Sequence, residues 1–350
     1  MTIKFGERII ANFSEPYIIA EIGANHNGDM NLAKNMIRIA KEQGADCVKF
    51  QSWSKKSIFS KVKYDENYFL TDDYRNREDY TLESIVEAYS ITKKEQKDLK
   101  KYCDKVGIEF ASTPFSNDEV DFLVDELDVK FIKIASMDLN NYPFLEYIAK
   151  KNKPIVLSTG LSTIGEIEKA IKTIKSYNDN LVLLHCVSEY PPKMEHVNLN
   201  NIDMLREVFE LPVGFSDHTL GTSIPLASVV KGACIIEKHF TLDKNLEGWD
   251  HAVSADEVEL GIIVTKSKDI YKSLGSYNRK VTESEERVQS FRRSIVLTKK
   301  LSKGDKIKIT DIDFKRPGNG IKPGELKYVI GRILKVDKNY DEQLFWVDLL

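Results

Sequence analysis

Four cysteines in 350 residues, at positions 47, 103, 186 and 234, are too few and too far apart for a disulfide scaffold. None forms the Cys-x-x-Cys pair of a zinc or dithiol site, and three fall inside predicted buried strands, where cysteine acts as a small hydrophobe. Charge of one sign is also missing. The 51 Lys and Arg against 54 Asp and Glu leave a formal charge of −3, which excludes a general nucleic-acid or membrane-surface binder and leaves any anion to a local cluster. No apolar run approaches the ~20 residues that cross a bilayer. The opening MTIKFGERII has no signal-peptide core, so a cytoplasmic protein with neither nucleic acid nor membrane as partner is expected. There is no low-complexity tract.

What is present is a set of eight short apolar runs: 17–23 (YIIAEIG), 45–51 (ADCVKFQ), 108–113 (IEFAST), 131–136 (FIKIAS), 154–159 (PIVLST), 181–188 (LVLLHCVS), 212–218 (PVGFSDH) and 233–239 (ACIIEKH). They are rich in Val, Ile, Leu and Phe without strict alternation, as parallel strands covered on both faces are. Between them lie stretches of helical period, among them 31–44, 143–152, 163–176 and 201–210. Strand and helix alternating eight times predict an α/β protein, a (β/α)8 barrel over residues 1–275.

A polar, charged stretch at 276–290 reads as a linker. Residues 291–350 follow as short strand-like pieces broken by Lys-Gly-Asp and Pro-Gly turns, a small β-rich module. A long insertion at 53–92, after the second strand, is expected to act as a lid or an interface.

In such barrels the carboxyl ends of the strands build the site. Those ends carry Glu21 with Asn25 and His26, Lys49 and Gln51, Thr113, Lys133 with Ser136 and Asp138, Ser158, His185 with Ser188 and Tyr190, Ser216 with His218, and Lys238 with His239. Lys49 and Lys133 interrupt apolar strands, so each must face a bound anion or a carboxylate such as Glu21 or Glu109. His218 and His239 end the seventh and eighth strands, which neighbour each other in a closed barrel, and could share one divalent metal or serve as structural residues. His185 could orient a ligand or fill space. Asp138 and Asp250, just past strand ends, could move a proton, hold a sugar hydroxyl or cap a turn.

The strings IAEIGANHNGD, DCVKFQ, ASTPF, IKIAS, LSTG, LLHC, GFSDH and EKHFTLDK, with FRRS and KRPGNG in the tail, resemble the sialic acid (nonulosonate) synthases from about residue 15 to about residue 330. The resemblance implies a barrel followed by an antifreeze-like (SAF) domain, a domain-swapped homodimer, and condensation of phosphoenolpyruvate with an open-chain N-acylated aminosugar to a nine-carbon keto acid and phosphate. It also implies a divalent cofactor on His218 and His239, manganese first, magnesium or cobalt as alternatives. Lys49, Thr113, Lys133, Ser136, Ser158, Ser188, Ser216 and His218 would hold phosphoenolpyruvate. Glu21, Tyr190, Asp250 and Phe291 would contact the sugar, Arg316 would enter from the partner's SAF domain, and Asp138 would assist proton transfer.

Three positions depart from the family pattern: Met137-Asp138 where Gly-Glu is usual, Ser188 where Asn is common, and Trp249 in place of Pro. They leave the acceptor open among N-acetylmannosamine and the diacetamido sugars that lead to legionaminic or pseudaminic acid. Two rival readings are a Schiff-base aldolase using Lys133 or Lys238 and a non-catalytic phosphosugar-binding protein.

Overall fold

The computed structural model describes residues 1–66 and 81–350, so the middle of the 53–92 insertion lies outside the described residues. The chain divides into two compact units, Met1–Gly275 and Ser276–Leu350.

In the first unit an antiparallel hairpin, β1 (Ile3–Phe5) and β2 (Arg8–Ile10), precedes eight parallel strands. These are β3 (Tyr17–Gly23), β4 (Cys47–Ser52), β5 (Glu109–Pro114), β6 (Ile132–Ile134), β7 (Ile155–Ser158), β8 (Leu181–Cys186), β9 (Val213–Asp217) and β10 (Ile235–His239). The ladder runs β5-β4-β3-β10-β9-β8-β7-β6, and β5 and β6 lie side by side to complete the ring. The first strand therefore pairs with the last, Glu21 standing opposite His239 in register. All eight predicted strands are found, and the expected helices form at Met30–Glu42, Tyr142–Ala149, Ile164–Lys175 and Asn200–Phe209. No helix among the described residues is long and apolar enough to cross a membrane.

Alternate strand residues point to opposite faces, and here both faces are covered. The outward rows, such as Ile18, Ala20, Ile22, Val48 and Phe50, pack on the helices. The inward rows begin apolar: Tyr17, Ile19, Cys47, Ala111, Phe131, Val156, Val182, Leu184 and Ile235 fill the amino-terminal end, where Ile3, Phe5 and Ile10 of the hairpin plug the barrel. Each such side chain sealed from water contributes ~1.5–3 kcal/mol. The hydrophobic plug leaves only the carboxyl half of the interior for polar groups. The sequence sets the helix starts too: Thr92, Thr163 and Asp256 cap their helices, each answered by a glutamate three residues on, an arrangement that stabilises by ~1 kcal/mol.

The second unit pairs β11 (Ser294–Leu297) with β12 (Ile312–Lys315) around a core that includes Ile295, Leu297, Leu301, Ile321, Leu334 and Leu344. It begins with the charged stretch 276–290, where Glu283–Arg287 forms a short helix capped by Thr282. All four cysteines are free and buried, Cys103 on the helix Lys93–Val106 and the others in or beside strands.

Candidate active site

Above the plug, the inward rows turn polar on neighbouring strands. Glu21 and Lys49 stand in register on β3 and β4, with Lys49 Nζ 2.5 Å from Glu21 Oε2. Lys49 also donates to Thr113 Oγ1 at 3.2 Å. Across the barrel Lys133 donates to Ser158 Oγ at 2.7 Å and to the Ile134 carbonyl at 3.0 Å. Glu237 lies between the lysines, 3.7 Å from each, and accepts from Ser216 Oγ at 2.9 Å. All of these side chains are buried.

The carboxylate expected beside Lys49 is thus Glu21, and among the described residues neither lysine pairs with Glu109, which opens β5 at the plugged end. Sequence reasoning missed Glu237. Its signal was the one that marked the lysines, a charge in an apolar strand on the same face as His239.

Burial sets the charge of this cluster. It pushes the Glu21 carboxyl up to about 7 against the pull of Lys49. It works against the Lys49 ammonium too, but Glu21 and Glu237 outweigh it and hold Lys49 above its usual value. Burial wins at Lys133, which is lowered despite Glu237. At Glu237 the two lysines overcome burial and keep the carboxylate ionised.

Beside Lys133, the turn after β7 passes between two hydroxyls. Gly160 N–H donates to Ser136 Oγ at 3.0 Å, and a Cβ built on Gly160 would lie 2.8 Å from that oxygen and 2.5 Å from Ser188 Oγ. A side chain there would push both hydroxyls aside, and Ser158 bound to Lys133, with Ser136 and Ser188 beside Gly160, forms a set of hydroxyls suited to phosphate oxygens. A cavity of about 520 Å³ opens on the helix side of this turn, lined by Gly160 and Ser188 together with Ile164, Ile167, His185, Met204 and Leu205.

His218 and His239 do meet. Their ring centres are 5.5 Å apart at 46°, and Tyr190 stacks on His218 at 4.0 Å. His218 Nδ1–H donates to the Val187 carbonyl at 2.8 Å, and although burial works against the imidazolium, Cys186 and that carbonyl hold His218 above its usual value, leaving Nε2 as the nitrogen turned to a ligand. Burial and the charge of His218 push His239 well below its usual value, so it stays neutral, with Nδ1 3.7 Å from Asp250 Oδ2. Metal–imidazole bonds of ~2.0–2.1 Å put two ring centres on one ion about 5–6 Å apart, so the pair fits a divalent ion. Among the described residues no group of three or more His, Cys, Asp or Glu is placed to hold a metal ion.

Asp138 ends the 3-10 turn Ser136–Asp138; burial raises its carboxyl, Asn141 Nδ2 reaches one oxygen at 3.3 Å, and the other is buried without a partner. Asp250 precedes the turn His251–Val253, and its carbonyl accepts from Ser254 Oγ at 2.6 Å. In the second unit the Arg316 guanidinium lies 5.7 Å over the ring of Phe291, which is exposed.

Other strand-end residues are structural. Lys238 points outward, bound to Asp217 Oδ2 at 2.7 Å on the helix side of the sheet, so it cannot be a Schiff-base nucleophile within the barrel. His185 also faces outward and binds the Val197 carbonyl at 2.7 Å. Asn25 ties the Phe240 carbonyl to Ser254, and His26 accepts from the Gly28 N–H at 3.0 Å.

The sequence matches the NeuB family over residues 36–279 and the SAF domain over 292–350. It is 42% identical over 329 residues to the N,N'-diacetyllegionaminic acid synthase of Campylobacter jejuni, covering 93% of this chain and 97% of that one. It is 39% identical to the enzyme of the same name from Legionella pneumophila, over 94% and 93%. The N-acetylneuraminic acid synthetase of Leptospira borgpetersenii, solved with citrate, superposes with a TM-score of 0.71 at 35% identity, covering 82% of this chain and 94% of that one. With its eight-stranded barrel and its SAF unit, the chain belongs to the NeuB family of nonulosonic acid synthases.

Proposed function

We propose that this chain condenses phosphoenolpyruvate with an open-chain 2,4-diacetamido-2,4,6-trideoxyhexose, giving a legionaminic-type 2-keto acid and phosphate. One observation carries the reading: two buried lysines flank one buried carboxylate, Glu237, with Glu21 held up at about 7 beside them, directly below two imidazoles at a barrel mouth. A site with that charge favours a small dianion.

In this reading Lys49 and Thr113 hold one end of phosphoenolpyruvate, and Lys133 with Ser136, Ser158, Ser188 and Ser216 holds the other. His218 and His239 would hold a divalent ion, manganese first, whose chemistry is to polarise the acceptor's aldehyde oxygen. As the C2–C3 π bond breaks, C3 forms a bond to the aldehyde carbon, whose oxygen takes a proton from solvent to become a hydroxyl. Water adds at C2 and gives its proton to Asp138, whose carboxyl burial raises and one oxygen of which is buried with no partner among the described residues. The bond from C2 to the phosphate oxygen then breaks, the C2 hydroxyl's proton leaves with the phosphate, and the ketone remains. Glu21, Tyr190 and Asp250 would orient the sugar. Phe291 would add to that wall, and Arg316 would reach the site of a partner subunit in a cytoplasmic, domain-swapped homodimer.

The diacetamido acceptor is favoured because identity to the legionaminic acid synthases, 39–42%, exceeds the 32–33% to the pseudaminic acid synthases and the 32–38% to the N-acetylneuraminate-9-phosphate synthases of human, mouse and fruit fly. Phosphate release should be measured with phosphoenolpyruvate and Mn²⁺ against diacetamido trideoxyhexoses of manno and altro configuration, N-acetylmannosamine and its 6-phosphate. The manno diacetamido sugar should give the highest kcat/KM; a preference for N-acetylmannosamine or its phosphate would overturn the assignment.

A further inference from the structure

We infer that Asp217 and Lys238 are positioning residues that set the spacing of His218 and His239 for a shared divalent ion, an inference that rests on the metal reading above. The two histidines are not equally supported by the sheet. His239 is the last residue of β10, whereas the β9–β10 ladder ends at the Asp217–Lys238 pair and leaves His218 one residue beyond it. The turn that carries His218 needs another tether.

The outward-facing side chains supply one. Lys238 Nζ donates to Asp217 Oδ2 at 2.7 Å and to the carbonyl of Thr219 at 2.5 Å. Asp217 Oδ1 accepts from the Thr219 N–H at 2.9 Å. The residues before and after His218 are therefore both fastened to the residue directly before His239. Lys238 and Asp217 are 2% and 1% exposed, so the contact is shielded from water and from screening. On the inner face, Ser216 and Glu237 repeat the cross-link one step lower. An alternating strand thus places its metal-facing imidazole on one side and the clamp that aims it on the other.

A pair with only a structural role would change the melting temperature and leave metal affinity alone, so Mn²⁺ affinity discriminates. Full-length protein stripped with chelator is titrated with Mn²⁺ alone, and free ion is followed by electron paramagnetic resonance. Lys238→Met strands a buried carboxylate, so Asp217→Asn combined with Lys238→Met serves as the charge-free variant: it keeps an acceptor for the Thr219 N–H while removing the ammonium tether. Circular dichroism shows which variants fold. The Mn²⁺ Kd should rise about 10- to 100-fold in the folded double variant, as it does when groups that orient metal ligands are lost, while His239→Ala abolishes binding. A folded double variant with an unchanged Kd would overturn the inference and leave the metal reading intact. Absence of saturable Mn²⁺ binding in the unaltered protein would overturn both.

Discussion

Lys49 and Glu21 face each other across β4 and β3 with 2.5 Å between ammonium nitrogen and carboxylate oxygen, both almost sealed from solvent. The pair is electrically lopsided, because burial holds Glu21 at about 7 while Lys49 stays charged. Lys49→Met should therefore cost about 3 kcal/mol of unfolding free energy at pH 7, since it leaves two carboxyls beside a lost cation. Glu21→Gln should cost about 1 kcal/mol, because the carboxyl is already partly protonated. Urea midpoints compare the two, and equal losses would contradict the asymmetry.

The metal reading predicts that enzyme stripped with EDTA is inactive and regains turnover with Mn²⁺. His218→Ala or His239→Ala should lower kcat by about 10²-fold or more whatever metal is supplied. Full activity of His239→Ala in chelator would refute it.

Arg316 carries a planar fork suited to an N-acyl carbonyl. Arg316→Ala should raise the acceptor KM about tenfold and leave that of phosphoenolpyruvate unchanged. Unchanged acceptor kinetics would remove the SAF unit from the site.

Burial lowers the His26 imidazole from 6.5 to about 4. The unfolded chain binds this proton first, so the stabilisation is present above pH 6.5 and is lost as the pH falls toward 4. The stability advantage of the native protein over His26→Gln should shrink by about 2 kcal/mol between pH 7 and pH 5 in urea titrations. A constant difference would exclude His26 as the cause.

The barrel was legible because eight apolar runs and the helices between them each fit one period. The ends of the strands were harder, since a one-residue step reverses the face. His239 points inward, so Glu237 two residues before it must point inward as well, and Lys238 between them must point outward. Reading the strand end as a cluster of polar residues instead of an alternation promoted Lys238 and hid Glu237. His185 fell the same way, on the outward row with Leu181 and Leu183. Which carboxylate meets Lys49 depended on sheet register, and the choice between Glu21 and Glu109 followed only once β3 and β4 were aligned.

The condensation is most directly tested in water enriched in ¹⁸O. With phosphoenolpyruvate and the acceptor, the label should appear at C2 of the keto acid, where water replaces the departing phosphate, and the phosphate should be unlabelled. Label in the phosphate would mean attack at phosphorus with P–O cleavage, and the proposed reaction would be wrong.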